Sequence, residues 1–190
     1  LLVSGNAKQG EGGRAIWVIS TVSGAVRVLR DDTWGAAISP EGSRIAFRNS
    51  KQNEIWVMGQ NGENPRRLLA APEGYMFERL VWSRDGGRVA YIKSTIGLDK
   101  VAIESVAASG SEPVLMLADQ RIIDFCWVPD GRIIVSLSEL PPNEYDSNLW
   151  EFRADPGTGG RSGEPRRITS WAGFGFRDIS LSRDGKRMGF

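Results

Sequence analysis

Asp-Gly turns, two arginine pairs, a glycine-rich loop and seven tryptophans are the groups in this 190-residue chain whose types and spacing bear on chemistry. A calcium site needs ~6–8 oxygen ligands, whereas Asp85-Gly86 or Asp184-Gly185 offers a single carboxylate. These pairs read as turns, where Asp tolerates the tight backbone and Gly takes the left-handed conformation. The run Gly157-Thr158-Gly159-Gly160-Arg161-Ser162-Gly163 has the glycine content of a phosphate loop. It lacks the terminal Lys-Ser/Thr, however, and leads through Glu164-Pro165-Arg166-Arg167 into a strand, so it reads as a flexible hairpin loop. Arg66-Arg67 and Arg166-Arg167 offer guanidinium groups to an anionic partner. Their equivalent positions in a charge-balanced chain favour solvated outer-strand residues that discourage edge-to-edge pairing.

Composition excludes most catalytic constellations from this chain. It has no histidine, hence no Ser-His-Asp triad, no Cys-His pair, no HExxH zinc site and no haem-ligating imidazole. Cys126 is the single cysteine, so neither an intrachain disulfide nor a cysteine-cluster metal site can form. Gly-x-Ser-x-Gly is absent, and carboxylates such as Asp31, Asp32 and Glu139 show no pairing that sequence alone establishes. No catalytic residue, metal site or cofactor is therefore expected. A net charge of +1 gives no general attraction for nucleic acid or anionic membranes. Leu1-Leu2-Val3 is too short an apolar run for a signal peptide or a membrane span. Both ends read as cut within an element, which leads to the expectation of a piece of a longer protein.

The elements that must position these groups come from a repeat. A turn followed by an alternating run recurs at Ser39-Pro40-Glu41-Gly42-Ser43-Arg44-Ile45-Ala46-Phe47 and at Ser83-Arg84-Asp85-Gly86-Gly87-Arg88-Val89-Ala90-Tyr91. It returns at Val128-Pro129-Asp130-Gly131-Arg132-Ile133-Ile134-Val135 and at Ser182-Arg183-Asp184-Gly185-Lys186-Arg187-Met188-Gly189-Phe190. The turn glycines are 44, 45 and 54 residues apart. After the turn comes a short apolar strand, Ile16-Trp17-Val18, Ile55-Trp56-Val57-Met58, Val101-Ala102-Ile103 or Leu149-Trp150-Glu151-Phe152. A closing strand follows, as in Pro65-Arg66-Arg67-Leu68-Leu69 and Pro165-Arg166-Arg167-Ile168-Thr169. Another strand, such as Arg79-Leu80-Val81-Trp82, precedes each turn.

β-branched and aromatic runs between Gly turns favour strands, and helical periodicity with caps is nowhere convincing. Each unit is thus a four-stranded antiparallel meander of about 40–50 residues, the size of a propeller blade. A blade has two apolar faces and needs a neighbour on each. The predicted fold class is all-β: an arc of about four blades belonging to a larger propeller of roughly 6–8 blades. Full blades are expected at 33–70, 77–117 and 122–169, with blade remnants at 1–30 and 176–190. The repeat accounts for the glycines, which close hairpins, and for Trp17, Trp56, Trp82, Trp127 and Trp150, which recur at packing positions.

The pattern S-P-[DE]-G-x-[KR]-[IVL]-A-[FY], followed by [IL]-W-[VE] and N-P-R-R-L, resembles the WD40-like (PD40) repeat of bacterial TolB-like propellers. Residues 39–69 carry it most fully. Val128 departs from it where serine is usual, as does Val101-Ala102-Ile103-Glu104 where Ile-Trp-Val would stand. The Trp-Asp dipeptide of eukaryotic WD40 repeats is missing. Related repeats occur in the periplasmic Tol-system protein, in the gating propeller of prolyl-oligopeptidase-like serine peptidases, and in multidomain bacterial Ser/Thr kinases and winged-helix regulators. The resemblance therefore implies a periplasmic or extracytoplasmic location.

The functional expectation is a noncatalytic scaffold that binds a protein or peptide partner through rim loops and the channel mouth. The alternative is the gating or sensor propeller of a multidomain enzyme. Trp34 and Trp171 lie on connections between blades, which makes them the candidate binding residues, since aromatics are enriched at interfaces.

Overall fold

The computed structural model describes residues 2–6, 13–182 and 184–190. Among them there is no helix. Strands β1 (Leu2–Asn6), β2 (Arg14–Ile19) and β3 (Val26–Asp31) form a three-stranded sheet. Three four-stranded sheets follow: β4 (Thr33–Ile38) to β7 (Arg66–Ala70) with β5 (Arg44–Asn49) and β6 (Glu54–Gly59) between them, then β8 (Tyr75–Trp82), β9 (Arg88–Thr95), β10 (Val101–Ala107) and β11 (Val114–Ala118). The third comprises β12 (Ile122–Trp127), β13 (Arg132–Ser138), β14 (Ser147–Ala154) and β15 (Arg161–Arg167). A two-stranded sheet, β16 (Ser180–Leu181) and β17 (Met188–Gly189), ends the series. Every pairing is antiparallel and sequential, so each sheet is a meander.

Each sheet contributes apolar residues from both faces, and the cores lie between sheets. Ile16 from the first sheet meets Ile45, Phe47 and Met58 from the second. Ala46, Ile55 and Val57 meet Phe77, Trp82 and Tyr91 from the third. Ile92, Ile103 and Met116 pack against Phe125, Val135 and Phe152, while Cys126, Ile134 and Leu149 pack against Phe176 and Ile179. Burial of one such side chain is worth about 1.5–3 kcal/mol, so each sheet depends on its neighbours more than on its own ladder. Four of the five tryptophans expected at packing positions are found there: Trp82 is buried, and Trp56, Trp127 and Trp150 pack half-buried against these inter-sheet cores, while Trp17 is half-buried in β2. Val101 and Ile103, where the repeat lacks its tryptophan, are buried as well.

The turn that starts each repeat is closed by a serine. Ser83 N donates to Arg88 O at 3.0 Å, Gly86 N donates to Ser83 O at 2.9 Å, and Ser83 Oγ accepts from Arg88 N at 2.9 Å. Ser39 and Ser182 repeat this arrangement with Arg44 and Arg187. The Val128 turn is one residue shorter. There Asp130 Oδ1 accepts from Arg132 N at 3.1 Å, so no hydroxyl is needed and the valine joins the core.

Candidate functional site

The first strand of each four-stranded sheet is irregular, at the same place in β4 and β8 and one residue earlier in β12. Register slips between Trp34 and Ala36, between Glu78 and Leu80, and between Ile122 and Asp124. The bulged residues Gly35 and Arg79 have φ of +58° and +39°, and Asp178, the equivalent residue before β16, has +53°. For Arg79 and Asp178 this left-handed backbone costs on the order of 1–3 kcal/mol and persists only where the surroundings impose it.

Around these bulges lies a polar cavity of about 370 Å³, whose walls include Trp34, Arg48, Glu78, Arg79, Asp124 and Asp178. Arg48 is only 7% exposed. Its Nη1 donates to Phe77 O at 2.6 Å and to Gln52 Oε1 at 2.8 Å, whereas its Nε is buried without a hydrogen-bond partner. Burial pushes its guanidinium down to about 10, against the pull of Glu78. Arg48 leans on Gly35, where a Cβ would lie 2.5 Å from Nη2, so the bulge glycine serves both the backbone and the arginine.

Arg79 Nε stands 3.1 Å from Asp124 Oδ1 without hydrogen-bond alignment, and Arg79 Nη2 donates to Ile179 O. Asp124 is buried, accepting from Phe125 N at 2.8 Å and from Ile179 N at 2.7 Å. Burial raises its carboxyl pKa despite Arg79. Both carboxylate oxygens are thus committed to backbone amides, which suits Asp124 to hold the neighbouring connection in place and not to exchange protons with a substrate. What the cavity offers a partner is guanidinium donors, two peripheral charges at Arg177 and Asp178, and the Trp34 ring.

Of the two candidate tryptophans, Trp34 lines this cavity, with the Arg14 guanidinium 3.9 Å above its ring. Trp171 is 49% exposed and belongs to a separate aromatic group with Phe174 and Phe176, at centroid distances of 5.9 and 5.5 Å. Asn148 fixes Trp171 by accepting from its amide at 2.9 Å and donating to its carbonyl at 3.0 Å. The structure does not bring the two indoles together.

The arginine pairs are exposed on the closing strands β7 and β15, as expected of solvated outer-strand positions, and each arginine also has a partner. Arg66 donates to Ala108 O in the next sheet, and Arg67 pairs with Glu54 at 2.7 Å. Arg166 pairs with Glu151, and Arg167 with Glu139 at 2.8 Å. In the glycine-rich loop, Asp155 Oδ1 accepts the amides of Gly157 and Thr158 at 3.0 and 2.7 Å. A carboxylate of the chain itself thus occupies the amides that a phosphate would need, and β15 follows, as expected for a hairpin. Among the described residues, no three His, Cys, Asp or Glu side chains cluster to hold a metal ion. No helix is long and apolar enough to cross a membrane.

Arg48, Arg79 and Asp124 were not singled out by sequence reasoning. The available signal was a charge inside an otherwise apolar strand, as in Ile122-Ile123-Asp124-Phe125.

No protein-family model matches the chain, and no curated protein matches it. Solved structures do. TolB from Acinetobacter baumannii superposes with a TM-score of 0.77 at 16% identity, over 98% of this chain and 45% of that one. An oligogalacturonate lyase in complex with manganese superposes with a TM-score of 0.63 at 17% identity, over 92% of this chain and 50% of that one. Pyrococcus horikoshii acylaminoacyl peptidase gives 0.64 at 15% identity, over 89% and 30%. The chain thus spans half the length of these proteins or less. At such identities the likeness concerns fold alone, and with the sequential four-stranded antiparallel sheets it establishes a TolB-like β-propeller fold.

Proposed function

We propose that this chain is a noncatalytic β-propeller scaffold that binds a protein or peptide segment at the mouth formed by the bulged first strands β4, β8 and β12. The observation that carries this reading is Arg48, a buried residue on the wall of the polar cavity whose Nε lacks a hydrogen-bond partner. A buried cation left short of hydrogen bonds costs free energy unless something repays it, and the amides and carboxylates of a polypeptide fit that role. The half-buried Trp34 adds a flat apolar surface of the kind enriched at interfaces. The location suggested by the repeat, periplasmic or extracytoplasmic, belongs to the same proposal.

A random-peptide phage library panned against the immobilised protein tests it. Enriched peptides should protect backbone amides of β4, β8 and β12 from hydrogen exchange. Failure to enrich any peptide, or protection confined to the outer strands, would overturn the reading. A second reading, the gating or sensor propeller of a multidomain enzyme, is favoured by the likeness to peptidase propellers. It predicts catalytic residues outside these 190 residues and an axial mouth that faces them.

A further inference from the structure

Internal repetition allows one blade junction to be compared with the next. Between the second and third sheets, Arg44 lies over the Trp82 indole with 5.0 Å from guanidinium to ring centroid. Its Nη2 donates to Gly86 O at 2.9 Å, and Glu41 Oε1 accepts from its Nε and Nη2 at 3.0 and 2.9 Å. Trp82 Nε1 in turn donates to Ala37 O at 2.9 Å. An aromatic face, a carboxylate and a turn carbonyl together make a guanidinium seat, which the chain fills with its own arginine.

At the next junction the corresponding residues are Arg88, Asp85 and Trp127, and the seat is empty of the chain's own arginine; the turn there is one residue shorter, and its Gly131 carbonyl accepts from Ala154 N at 3.0 Å. Arg88 turns away to donate from Nε to Ser105 Oγ at 3.0 Å and from Nη2 to Ser105 O at 3.3 Å. Two substitutions within the repeat account for this. Ser105 stands where Val57 stands in the preceding sheet and gives the arginine a partner. Asp85 is one methylene shorter than Glu41, and its Oδ1 is taken by Ser83 Oγ at 2.6 Å and Gly87 N at 2.9 Å.

The result is an open cleft of about 370 Å³ whose walls include Asp85, Trp127, Pro129, Gly131 and Asp155. Trp127 is half-buried, and its indole N–H has no hydrogen-bond partner among the described residues. Among the described residues, Asp85 and Asp155 each use only Oδ1 in hydrogen bonds, leaving one carboxylate oxygen of each open to a partner. Arg84 and Arg88 also border the cleft, but Arg84 is engaged with Pro129 O at 3.2 Å and Arg88 with Ser105.

We propose that this cleft is a docking site for an arginine side chain of a partner polypeptide, its guanidinium stacked on Trp127 and donating to the Asp85 and Asp155 carboxylates. The occupant is the one that the chain itself places at the preceding junction. Arginine suits the seat better than lysine because a planar guanidinium stacks on an indole and donates in two directions at once. The cleft lies at the turn end of the strands, apart from the axial mouth, so the proposal does not depend on the reading of that mouth.

The test is a ¹H–¹⁵N titration of the labelled protein that follows the Trp127 indole N–H, assigned with Trp127→Phe. The probe is N-acetyl-arginine N-methylamide, compared with its citrulline counterpart and with free L-arginine. The capped arginine should shift the Trp127 signal saturably and leave Trp82 unmoved, with citrulline about tenfold weaker or worse. Asp85→Glu combined with Ser105→Val, which copies the preceding junction, should bring Arg88 onto Trp127 and abolish the response. Asp155→Asn, an exposed change, should weaken binding without disturbing the junction. No shift at Trp127, an equal response to citrulline, tighter binding of free L-arginine, or undiminished binding in both variants would each overturn the proposal.

Discussion

Arg48 Nη1 donates to the Phe77 carbonyl at 2.6 Å, a bond that crosses from one sheet to the first strand of the next. Gly35 makes room for it. With φ of +58° and a virtual Cβ 2.5 Å from Arg48 Nη2, Gly35→Ala must strain the backbone and displace the guanidinium together. The expected loss is about 1–3 kcal/mol in urea unfolding. Gly24→Ala, with φ of +71° and nothing within 4 Å, carries the backbone strain alone and should lose less. An equal loss at the two sites would mean that Arg48 does not rest on Gly35.

The serine of the turn should matter only where the turn is long. Ser83→Ala removes the acceptor for Arg88 N and the donor to Asp85 Oδ1, at a cost of about 1–2 kcal/mol. Val128→Ser should destabilise as well, because Asp130 already serves that turn and the new hydroxyl would enter an apolar core beside Ile134 and Phe176. Chemical denaturation of both variants checks this, and a stabilised Val128→Ser protein would contradict it.

Cys126 reports on the junction that follows the fourth sheet. It is buried, and desolvation pushes its thiol up to about 12. A thiol reagent such as Ellman's reagent at pH 8 should leave the native protein unmodified and titrate one thiol after denaturation. Rapid reaction in the native state would show that the Cys126 junction opens.

Acid should destabilise the protein through its paired carboxylates. Hydrogen bonds from Arg166 and Arg132 hold Glu151 below its ordinary value, one from Arg67 does the same for Glu54, and Ser83 and Gly87 lower Asp85. A depressed native pKa gives stability that is present above the unfolded value and lost as pH falls through the native one. Stability should therefore decline as pH drops below about 4.3, the unperturbed glutamate value. Asp124, raised by burial, opposes the decline, since its native carboxyl holds a proton more tightly than the unfolded one. Urea unfolding between pH 3 and 7 should show a shallower acid decline for Glu151→Gln than for the unchanged chain.

The blades were legible because the turn that opens each repeat carries a glycine at positive φ and the strand after it alternates, and the two recur together 44, 45 and 54 residues apart. Ser39, Gly42 and Ile45 are local signals. The axial cavity is not of that kind. Arg48, Arg79 and Asp124 converge only when three sheets are wound about one axis, and the bulges that aim them leave no residue signature beyond Gly35. Trp34 reads from the sequence as part of a connection between blades, whereas it stands in β4, paired with Arg48 beside the bulge, and its partner Arg14 lies in another sheet. The cleft at Trp127 was hidden for the opposite reason: its residues match the repeat, and the difference lies in which way Arg88 turns.

The central claim is that the axial mouth holds a polypeptide, and calorimetric titration of one library-selected peptide tests it most directly. Its affinity should fall at least about tenfold for Trp34→Ala and measurably for the exposed Arg177→Ala, with both variants retaining the unfolding transition of the unchanged protein. Unchanged affinity in both variants would contradict the claim and place the binding surface elsewhere on the propeller.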